Sequence, residues 1–355
     1  MPEVPRPPRP VLLAAPDAFK GTATAVDLAA AAARAAAGVG WDSDPCPLSD
    51  GGEGFAAVLA ARGGGAWHEA VVTGPLGAPV TARWWASGDR AVVESASASG
   101  LPLAGGADGN DPVGATTRGT GELIAAAVAA GARRVLVGVG GSATTDGGRG
   151  AVEAIEGAGG LRGATVVVAC DVVTPFVDAA AVFGPQKGAT PDQVEVLTRR
   201  LAAYAEELRR TRGVDVGTLA GSGAAGGLAG GLAALGARLV PGFGVVAEAV
   251  DLARRVARAD LVLTGEGRLD ATSWEGKVVG GVVAEAGRAG VPVVIVAGSV
   301  GPGGVGGGGP GPEVVDLSAR FGPAASMADP ARCLATALSE GLVARTGPHP
   351  GVAGV

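Results

Sequence analysis

Histidine is almost absent from this chain of 355 residues, which contains only His68 and His349. A Ser-His-Asp triad, a Cys-His pair and a histidine-ligated zinc site each need a well-placed imidazole. One histidine lies in a predicted loop and the other in a tail rich in Pro and Gly. The sequence therefore disfavours all three kinds of site.

Cysteines and aromatic residues are also scarce. Cys46, Cys170 and Cys333 lie far apart, which indicates neither a disulfide framework nor a metal knuckle and favours a reducing, cytoplasmic location. Aromatic residues make up 3% of the chain, and the net charge is −6 with no basic run to oppose it. We therefore expect no binding of nucleic acid.

Long membrane-spanning runs are missing as well. Residues 1–10 are rich in Pro and Arg and are predicted to be a disordered tail, and the apolar run 11–15 that follows is too short for a signal peptide. Residues 216–237 carry no charge, but they consist mostly of Gly and Ala. We expect no export signal and no association with a membrane.

The chain does contain a repeated order of elements, in which an apolar strand is followed by a glycine-containing loop and then by a helix. The strands are predicted near Val11, Cys46, Val135, Leu261 and Val293. Helices are predicted over about 24–37, with a threonine cap, and over 191–212. This alternation predicts an α/β protein with a doubly wound, Rossmann- or flavodoxin-like parallel sheet.

Residues 71–95 break this rhythm, because three β-like runs are separated there by Gly/Pro turns and predict antiparallel hairpins. We interpret them as part of a second, inserted mixed α/β domain. The predicted boundaries place residues 11–70, 118–150 and 257–346 in the Rossmann-like domain. Residues 71–117 and 151–256 are placed in the inserted domain.

The stretch Gly138–Gly148 predicts an anion-binding turn at the carboxyl end of a strand. Its glycines allow a close approach of the backbone, the following helix start exposes amide groups, and Ser142 and Thr144 add hydroxyl donors. A turn that needs glycine only for its dihedral angles explains the pattern equally well from these residues alone.

Lysine is rarer than arginine, since only three of the 28 basic residues are lysines. Lys20, Lys187 and Lys277 each lie beside a glycine in a turn-like stretch. A compact ammonium group in a loop suits contact with phosphate oxygens.

Carboxylates also fall just after apolar runs, at Asp17, Asp50, Asp146, Asp171 and Glu266. In a parallel sheet these positions share one edge, where ligands of open α/β sheets bind. Carboxylates there can hold Mg²⁺ together with phosphate oxygens, although some must be caps of the following helices. The residues thus favour phosphoryl transfer.

A dinucleotide-binding pattern occurs at Gly221–Gly226, as Gly-Ser-Gly-Ala-Ala-Gly. No clear strand precedes it and no acidic residue follows at the usual distance. A glycine-rich helix start is the favoured interpretation, and an NAD(P)-dependent oxidoreductase remains the alternative. There is no Walker A pattern.

Several motifs, in order along the chain, resemble those of the bacterial glycerate kinase family (type 1, glycerate 2-kinase). They include Ala-Pro-Asp-Ala-Phe-Lys-Gly at 15–21, Asp-Gly-Gly-Glu-Gly at 50–54, Glu-Ser-Ala-Ser-Ala-Ser-Gly-Leu at 94–101, Thr-Arg-Gly-Thr-Gly-Glu at 117–122, Ala-Cys-Asp-Val at 169–172, Phe-Gly-Pro-Gln-Lys-Gly-Ala at 183–189 and Leu-Thr-Gly-Glu-Gly-Arg-Leu-Asp at 263–270. The resemblance implies phosphorylation of D-glycerate by ATP, with Mg²⁺, at a cleft between two α/β domains, most simply giving 2-phosphoglycerate.

The resemblance also implies roles for individual residues, which are as follows. The residues with expected catalytic roles are Asp17, Lys20, Asp50, Asp171 and Asp270, and Asp50, Asp171 and Asp270 are also the expected Mg²⁺ ligands. The residues expected to contact the substrate are Glu53, Ser95, Arg118 and Arg268. The residues expected to contact the nucleotide or its phosphates are Gly140, Gly141, Ser142, Thr144, Asp146, Lys187, Glu266 and Lys277. Which aspartate acts as base, and whether Arg118 or Arg268 binds the glycerate carboxylate, stays open.

Two segments, 150–165 and 174–181, are shorter than is usual in that family. A homologue that binds ligand without turnover is therefore a further alternative. The sequence leaves homo-oligomerisation open.

Overall fold

The computed structural model describes residues 9–61, 63–305 and 311–346. Most of the predicted tail, residues 1–8, lies outside the described residues. The chain forms two compact units. One, which we call the split unit, combines Met1–Leu48 with Val250–Val355; the other, the continuous unit, is Ser49–Ala249.

The described residues contain the following strands: β1 Val11–Ala14, β2 Asp42–Pro45, β3 Ala66–Thr73, β4 Pro79–Ser87, β5 Arg90–Glu94, β6 Arg134–Gly138, β7 Thr165–Ala169, β8 Arg238–Val240, β9 Leu261–Leu269, β10 Val293–Val300 and β11 Glu313–Asp316. The α-helices are α1 Ala25–Gly38, α2 Phe55–Ala60, α3 Ala96–Ser99, α4 Gly106–Gly109, α5 Arg118–Ala129, α6 Arg149–Gly157, α7 Ala179–Phe183, α8 Pro191–Arg212, α9 Leu228–Ala233, α10 Gly242–Ala249, α11 Leu252–Val256, α12 Val278–Ala289, α13 Leu317–Phe321, α14 Pro323–Ala328 and α15 Pro330–Thr346. Short 3₁₀ turns cover Leu101–Ala104, Phe176–Asp178, Pro185–Lys187 and Ala271–Trp274.

The split unit contains a five-stranded sheet in the order β11-β10-β9-β1-β2, in which all strands are parallel. Leu12, Leu263 and Val294 pack on one face against α1 and α15, and Ile295 packs on the other face with Val279 of α12. Helices on both faces confirm the predicted doubly wound arrangement. The strand order reverses between β1 and β9, so this unit has a topological switch point.

The continuous unit contains a six-stranded mixed sheet in the order β3 to β8. The first three strands are antiparallel, as the Gly/Pro turns predict, whereas β5 to β8 are parallel. Its core packs α5, α6 and α9 against one face. Helices α2 and α10 also contact this sheet, at β4, β5 and β7.

The structure differs from the predicted domain boundaries at one strand in particular. We assigned residues 118–150 to the Rossmann-like domain, but β6 pairs with β5 and β7 in the six-stranded sheet. Strand β6 has the same apolar pattern as a strand of a Rossmann-like sheet. The periodicity of apolar residues therefore cannot tell which of the two sheets β6 belongs to. Residues 49–70 likewise belong to the continuous unit.

The two helices predicted most clearly occur as expected. Helix α1 begins after Thr24, whose side chain accepts a hydrogen bond from the amide of Asp27. Helix α8 spans Pro191–Arg212 and begins with a capping box between Thr190 and Gln193. Local capping chemistry and a regular apolar face determine both helices.

We predict that Gly265→Ala in the centre of the split unit destabilises the protein by about 1–3 kcal/mol. A Cβ at this position would lie 1.9 Å from the carbonyl oxygen of Val296, on the paired strand β10, where neither backbone can move. Urea unfolding measures the change in free energy.

Gly287→Ala is the matched control, because a Cβ at this exposed position on α12 would have no atom within 4 Å. This helical substitution should be neutral or stabilising by up to about 1 kcal/mol. Equal stability of the two variants would contradict the argument from close backbone packing.

Candidate active-site residues

The carboxyl edge of the split unit brings together six of the predicted site residues. Asp17 and Lys20 follow β1, and Glu266 and Arg268 lie on β9, the strand across the switch point. The amide of Asp17 donates to the carbonyl of Gly265 at 2.9 Å, which ties the loop after β1 to β9. A switch point of this kind is where open α/β sheets bind ligands.

Glu266 is the half-buried acid of this edge. Burial raises the pKa of its carboxyl, while a hydrogen bond from Ser273 and the charges of Lys277 and Lys20 act in the opposite direction. Its Oε1 is buried without a hydrogen-bond partner. An unsatisfied buried carboxylate oxygen is costly in a folded protein and is typical of a functional position.

Asp270, Arg268 and Lys277 lie beside this acid. Oδ1 of Asp270 accepts from the amide and the hydroxyl of Thr272, at 3.0 and 2.8 Å, and caps the 3₁₀ turn Ala271–Trp274. These hydrogen bonds lower the pKa of Asp270. Nε of Arg268 lies 3.7 Å from Oδ2 of Asp270, and Nζ of Lys277 donates to the Thr272 hydroxyl at 2.9 Å.

The carboxyl edge of the six-stranded sheet is built from backbones that approach too closely for any side chain. A Cβ on Gly140 would lie 2.5 Å from Cα of Gly52, and one on Gly51 would lie 2.7 Å from the carbonyl oxygen of Ala169. A Cβ on Gly242 would lie 2.1 Å from the carbonyl oxygen of Asp50. The Asp-Gly-Gly-Glu-Gly motif therefore packs directly on the ends of β6 and β7.

Asp50 lies half-buried on this edge, and its Oδ1 accepts from the amide of Gly52 at 3.0 Å. Glu53, immediately after the glycine pair, is exposed. Ser95 is fully buried at the end of β5, and its hydroxyl donates to the carbonyl of Gly140 at 3.4 Å. Ser95 thus connects the end of β5 to the glycine loop.

The predicted anion-binding loop follows β6 as expected. Gly141 has a φ of +68°, and Gly140 makes the close approach to Gly52 described above. Ser142 and Thr144 are buried, and the Thr144 hydroxyl has no hydrogen-bond partner. This hydroxyl is therefore a buried polar group whose hydrogen-bonding capacity is unused.

Lys187 is buried, with 4% of its surface exposed. Its Nζ donates to the Ser142 hydroxyl at 2.9 Å and to the Thr144 carbonyl at 2.6 Å. Burial lowers its pKa from 10.5 to about 7, and the charge of Asp146 opposes that shift. Lys187, which the sequence predicts to contact phosphate, therefore directs its Nζ to the loop itself.

Two predicted site aspartates have capping contacts. Oδ2 of Asp146 accepts from both the amide and the hydroxyl of Thr117 at 2.8 Å, and its Oδ1 accepts from the amide of Gly148 at 2.9 Å. Oδ1 of Asp171 accepts from the amide of Gly242 at 2.7 Å, at the start of α10. These contacts support the capping role that sequence patterns leave open for such residues.

Arg118 is exposed at the start of α5, where its Nε donates to Oε1 of Glu122 at 3.0 Å. The second oxygen of Glu122 accepts from the amide of Thr73 at 2.7 Å. This ion pair leaves the remaining guanidinium donors of Arg118 at the surface.

Sequence reasoning missed three residues that shape these edges. Asn110 donates through Nδ2 to the carbonyls of Ala143 and Lys187, each at 2.9 Å. Ser273 contacts Glu266, and Thr117 holds Asp146. Thr117 and Ser273 lie in or beside family-like motifs, whereas nothing in the sequence around Asn110 signals its role.

Among the described residues, no three or more His, Cys, Asp or Glu side chains lie together so that they could hold a metal ion. The dinucleotide-like pattern at 221–226 follows a stretch without strand structure and precedes the short helix α9. That context does not match a βαβ dinucleotide-binding unit. Nor, in the part of the chain described, is any helix both long and apolar enough to cross a membrane.

Comparisons with known proteins identify the family. A family model for the glycerate kinase family matches residues 12–159 and 156–306. The chain belongs to the glycerate kinase family. A glycerate kinase of Bacillus subtilis (strain 168) is 42% identical over 325 residues, with 81% of this chain and 85% of that protein covered.

Two further relatives support this assignment. A glycerate 2-kinase of Escherichia coli (strain K12) is 39% identical over 325 residues, with 81% of this chain and 85% of that protein covered. A crystal structure from Salmonella typhimurium LT2, assigned as a glycerate kinase 2, is 34% identical and superposes with a TM-score of 0.77 over 96% of this chain and 100% of that chain. The predicted fold class and family are thus confirmed.

We predict that Lys187 makes folding stability depend on pH. The unfolded chain keeps this proton up to about pH 10.5, whereas the folded protein releases it near pH 7. Between these values the unfolded state binds more protons, so stability rises with pH by up to about 1.4 kcal/mol per pH unit. Its contribution is complete above about pH 10.5 and is lost as the pH falls to 7.

Urea unfolding of the wild type and Lys187→Met between pH 7 and 10 measures this contribution. The stability of the wild type relative to the variant should increase over that range. Arg200→Met is the control, since its Nη1 donates to the carbonyl of Val113 and guanidinium does not titrate there. A constant difference between wild type and Lys187→Met would show that the folded protein retains the charged lysine.

Proposed function

We propose that this protein is a glycerate kinase that transfers the γ-phosphoryl group of ATP to a hydroxyl of D-glycerate and releases ADP. The observation that carries the proposal is the family match, which runs from residue 12 to residue 306 and includes the candidate residues of both units. We propose the 2-hydroxyl as the acceptor because one relative is named a glycerate 2-kinase.

Phosphate contacts are proposed for the glycine loop and for Lys20. Gly140 and Gly141 leave backbone amides accessible without side-chain obstruction, and Ser142 and Thr144 add hydroxyls. Lys20 is exposed at the switch point, and Lys277 lies at the start of α12. Both ammonium groups are suited to neutralise phosphate charge, whereas the ammonium of Lys187 already contacts the loop.

Of the three aspartates predicted to bind Mg²⁺, Asp50 fits best. The oxygens of Asp171 contact the start of α10, and Oδ1 of Asp270 caps a 3₁₀ turn, whereas within the described ranges a single amide donates to Asp50. Mg²⁺ typically takes one or two carboxylates with phosphate oxygens and water. Bound there, the ion would neutralise charge on the phosphate oxygens.

Glu266 is the proposed general base. Its buried, unpartnered Oε1 would accept the hydroxyl proton of glycerate as the new O–P bond forms and the bond from the γ-phosphorus to the bridging oxygen of ATP breaks. The raised pKa of this carboxyl makes it a stronger base than an ordinary glutamate. Asp17, which lies beside β9 on the same edge, is the second candidate.

Arg268 is the proposed partner of the glycerate carboxylate. It is exposed on the same strand as Glu266, and its Nε lies 3.7 Å from Asp270. Nε of Arg118 is already within 3.0 Å of Glu122. A guanidinium can bind a carboxylate through two parallel hydrogen bonds, which an ammonium cannot do.

The purified protein should form ADP from Mg-ATP when D-glycerate is present. A coupled spectrophotometric assay measures the rate, and phosphorus NMR of the product identifies which hydroxyl is phosphorylated. Omission of D-glycerate is the control. Stabilisation by ATP in a thermal-shift assay without ADP formation would identify a binding protein without turnover and contradict the proposed activity.

Glu266→Gln should lower kcat by about 10²- to 10⁴-fold, because the amide keeps the shape of the side chain but accepts no proton. In the wild type, kcat should fall as acidic pH protonates Glu266, at a pH above the range of an ordinary glutamate. This acid limb should vanish in the variant.

Glu275→Gln is the matched control for this substitution, since Glu275 is exposed and lies nine positions further along the same unit. It should retain wild-type kcat and the acid limb. Equal activity of Glu266→Gln and Glu275→Gln would exclude Glu266 as the base.

A further inference from the structure

Three consecutive residues of the glycine loop are each held by a side chain from another segment of the continuous unit. Lys187 binds the Ser142 hydroxyl and the Thr144 carbonyl, and Asn110 binds the Ala143 carbonyl between them. Asn110 also binds the carbonyl of Lys187 at 2.9 Å. We call Asn110 and Lys187 the loop brace.

The chemistry of the brace is unambiguous. Both partners of the Asn110 amide nitrogen are backbone carbonyls, which only accept hydrogen bonds, so the NH₂ group must face them. Among the described residues, no carboxylate lies within 4.0 Å of Nζ of Lys187 in an ion pair. The buried ammonium therefore depends on the loop for its hydrogen bonds.

Burying a lysine without a paired carboxylate is unfavourable for folding. Such a feature is retained more readily where it serves a site than where it serves the core. The two side chains bind only carbonyls and one hydroxyl of this segment and so occupy none of its amide groups, although Ser142, Thr144 and Thr145 are themselves buried.

We propose that Asn110 and Lys187 are positioning residues that hold the segment Ser142–Thr145 in the conformation that binds the phosphates of the nucleotide. The brace turns the carbonyls of Ala143 and Thr144 toward the protein interior. In the opposite orientation these carbonyl oxygens would repel a bound phosphate. This inference rests on the proposed function, since it assumes that the loop binds nucleotide. It assigns to Lys187 an action through the loop in place of a direct phosphate contact.

Hydrogen–deuterium exchange without ligand tests the first half of the proposal. Lys187→Met and Asn110→Ala should each accelerate exchange of the amide of Ala143, which donates to the carbonyl of Ser99 at 2.9 Å. Asn110 is only partly buried, so its variant tests the same brace if Lys187→Met fails to fold. Arg200→Met should leave this exchange unchanged, because Arg200 contacts Val113 and not the loop.

Isothermal titration with Mg²⁺ and the unreactive analogue AMP-PNP tests the second half. Both brace variants should raise Kd by about tenfold or more, since small displacements of binding groups have effects of this size or larger. In the kinase assay, KM for ATP should rise while KM for D-glycerate stays within about twofold, a split that general destabilisation would not produce.

Three outcomes would overturn the proposal. A raised Kd with unchanged exchange would mean that Lys187 contacts the nucleotide directly. Faster exchange with unchanged Kd would mean that the braced loop does not bind nucleotide. If the wild type binds no AMP-PNP, the nucleotide proposal itself fails, while the exchange data still decide whether the brace orders the loop.

Discussion

Close packing of backbone against backbone at the carboxyl edge of the six-stranded sheet is the constraint on which the candidate site depends. Glycines at 51, 140 and 242 approach neighbouring main-chain atoms at distances that exclude any side chain. Three loops meet there without intervening side chains, so their main-chain atoms pack directly on one another. The fold thereby presents backbone dipoles in fixed directions, which suits a reaction that needs positioning and charge stabilisation.

The two units contribute different chemistry through different topologies. The split unit has a switch point, and its edge gathers ionisable side chains around Glu266, with Lys20 and Lys277 of opposite charge. The continuous unit has no reversal of strand order in its parallel part, and its edge presents mainly glycine loops and hydroxyls.

Sequence patterns predicted the strand-end loops because apolar runs and glycines are local signals. They could not assign Asp146 or Asp171, since the groups that these carboxylates bind, Thr117 and Gly242, are 29 and 71 positions away in the chain. A direct phosphate contact of Lys187 stays a prediction, and the groups that its Nζ contacts, on Ser142 and Thr144, are 45 and 43 positions away. Its partners become visible only when residues 142–144 and 187 are folded together, and β6 was misassigned because pairing partners leave no periodic trace.

The ribosome makes the two halves of the split unit at different times, because the continuous unit lies between them in the chain. Strand β1 pairs with β2 and β9, but β9 leaves the ribosome only after the whole of Ser49–Ala249 has been made. The continuous unit can complete its sheet from neighbouring strands as it emerges, whereas β1 and β2 must wait, with apolar residues such as Leu12 and Leu13 uncovered. Slow assembly and a dependence on chaperones during translation would therefore concentrate in the first 48 residues.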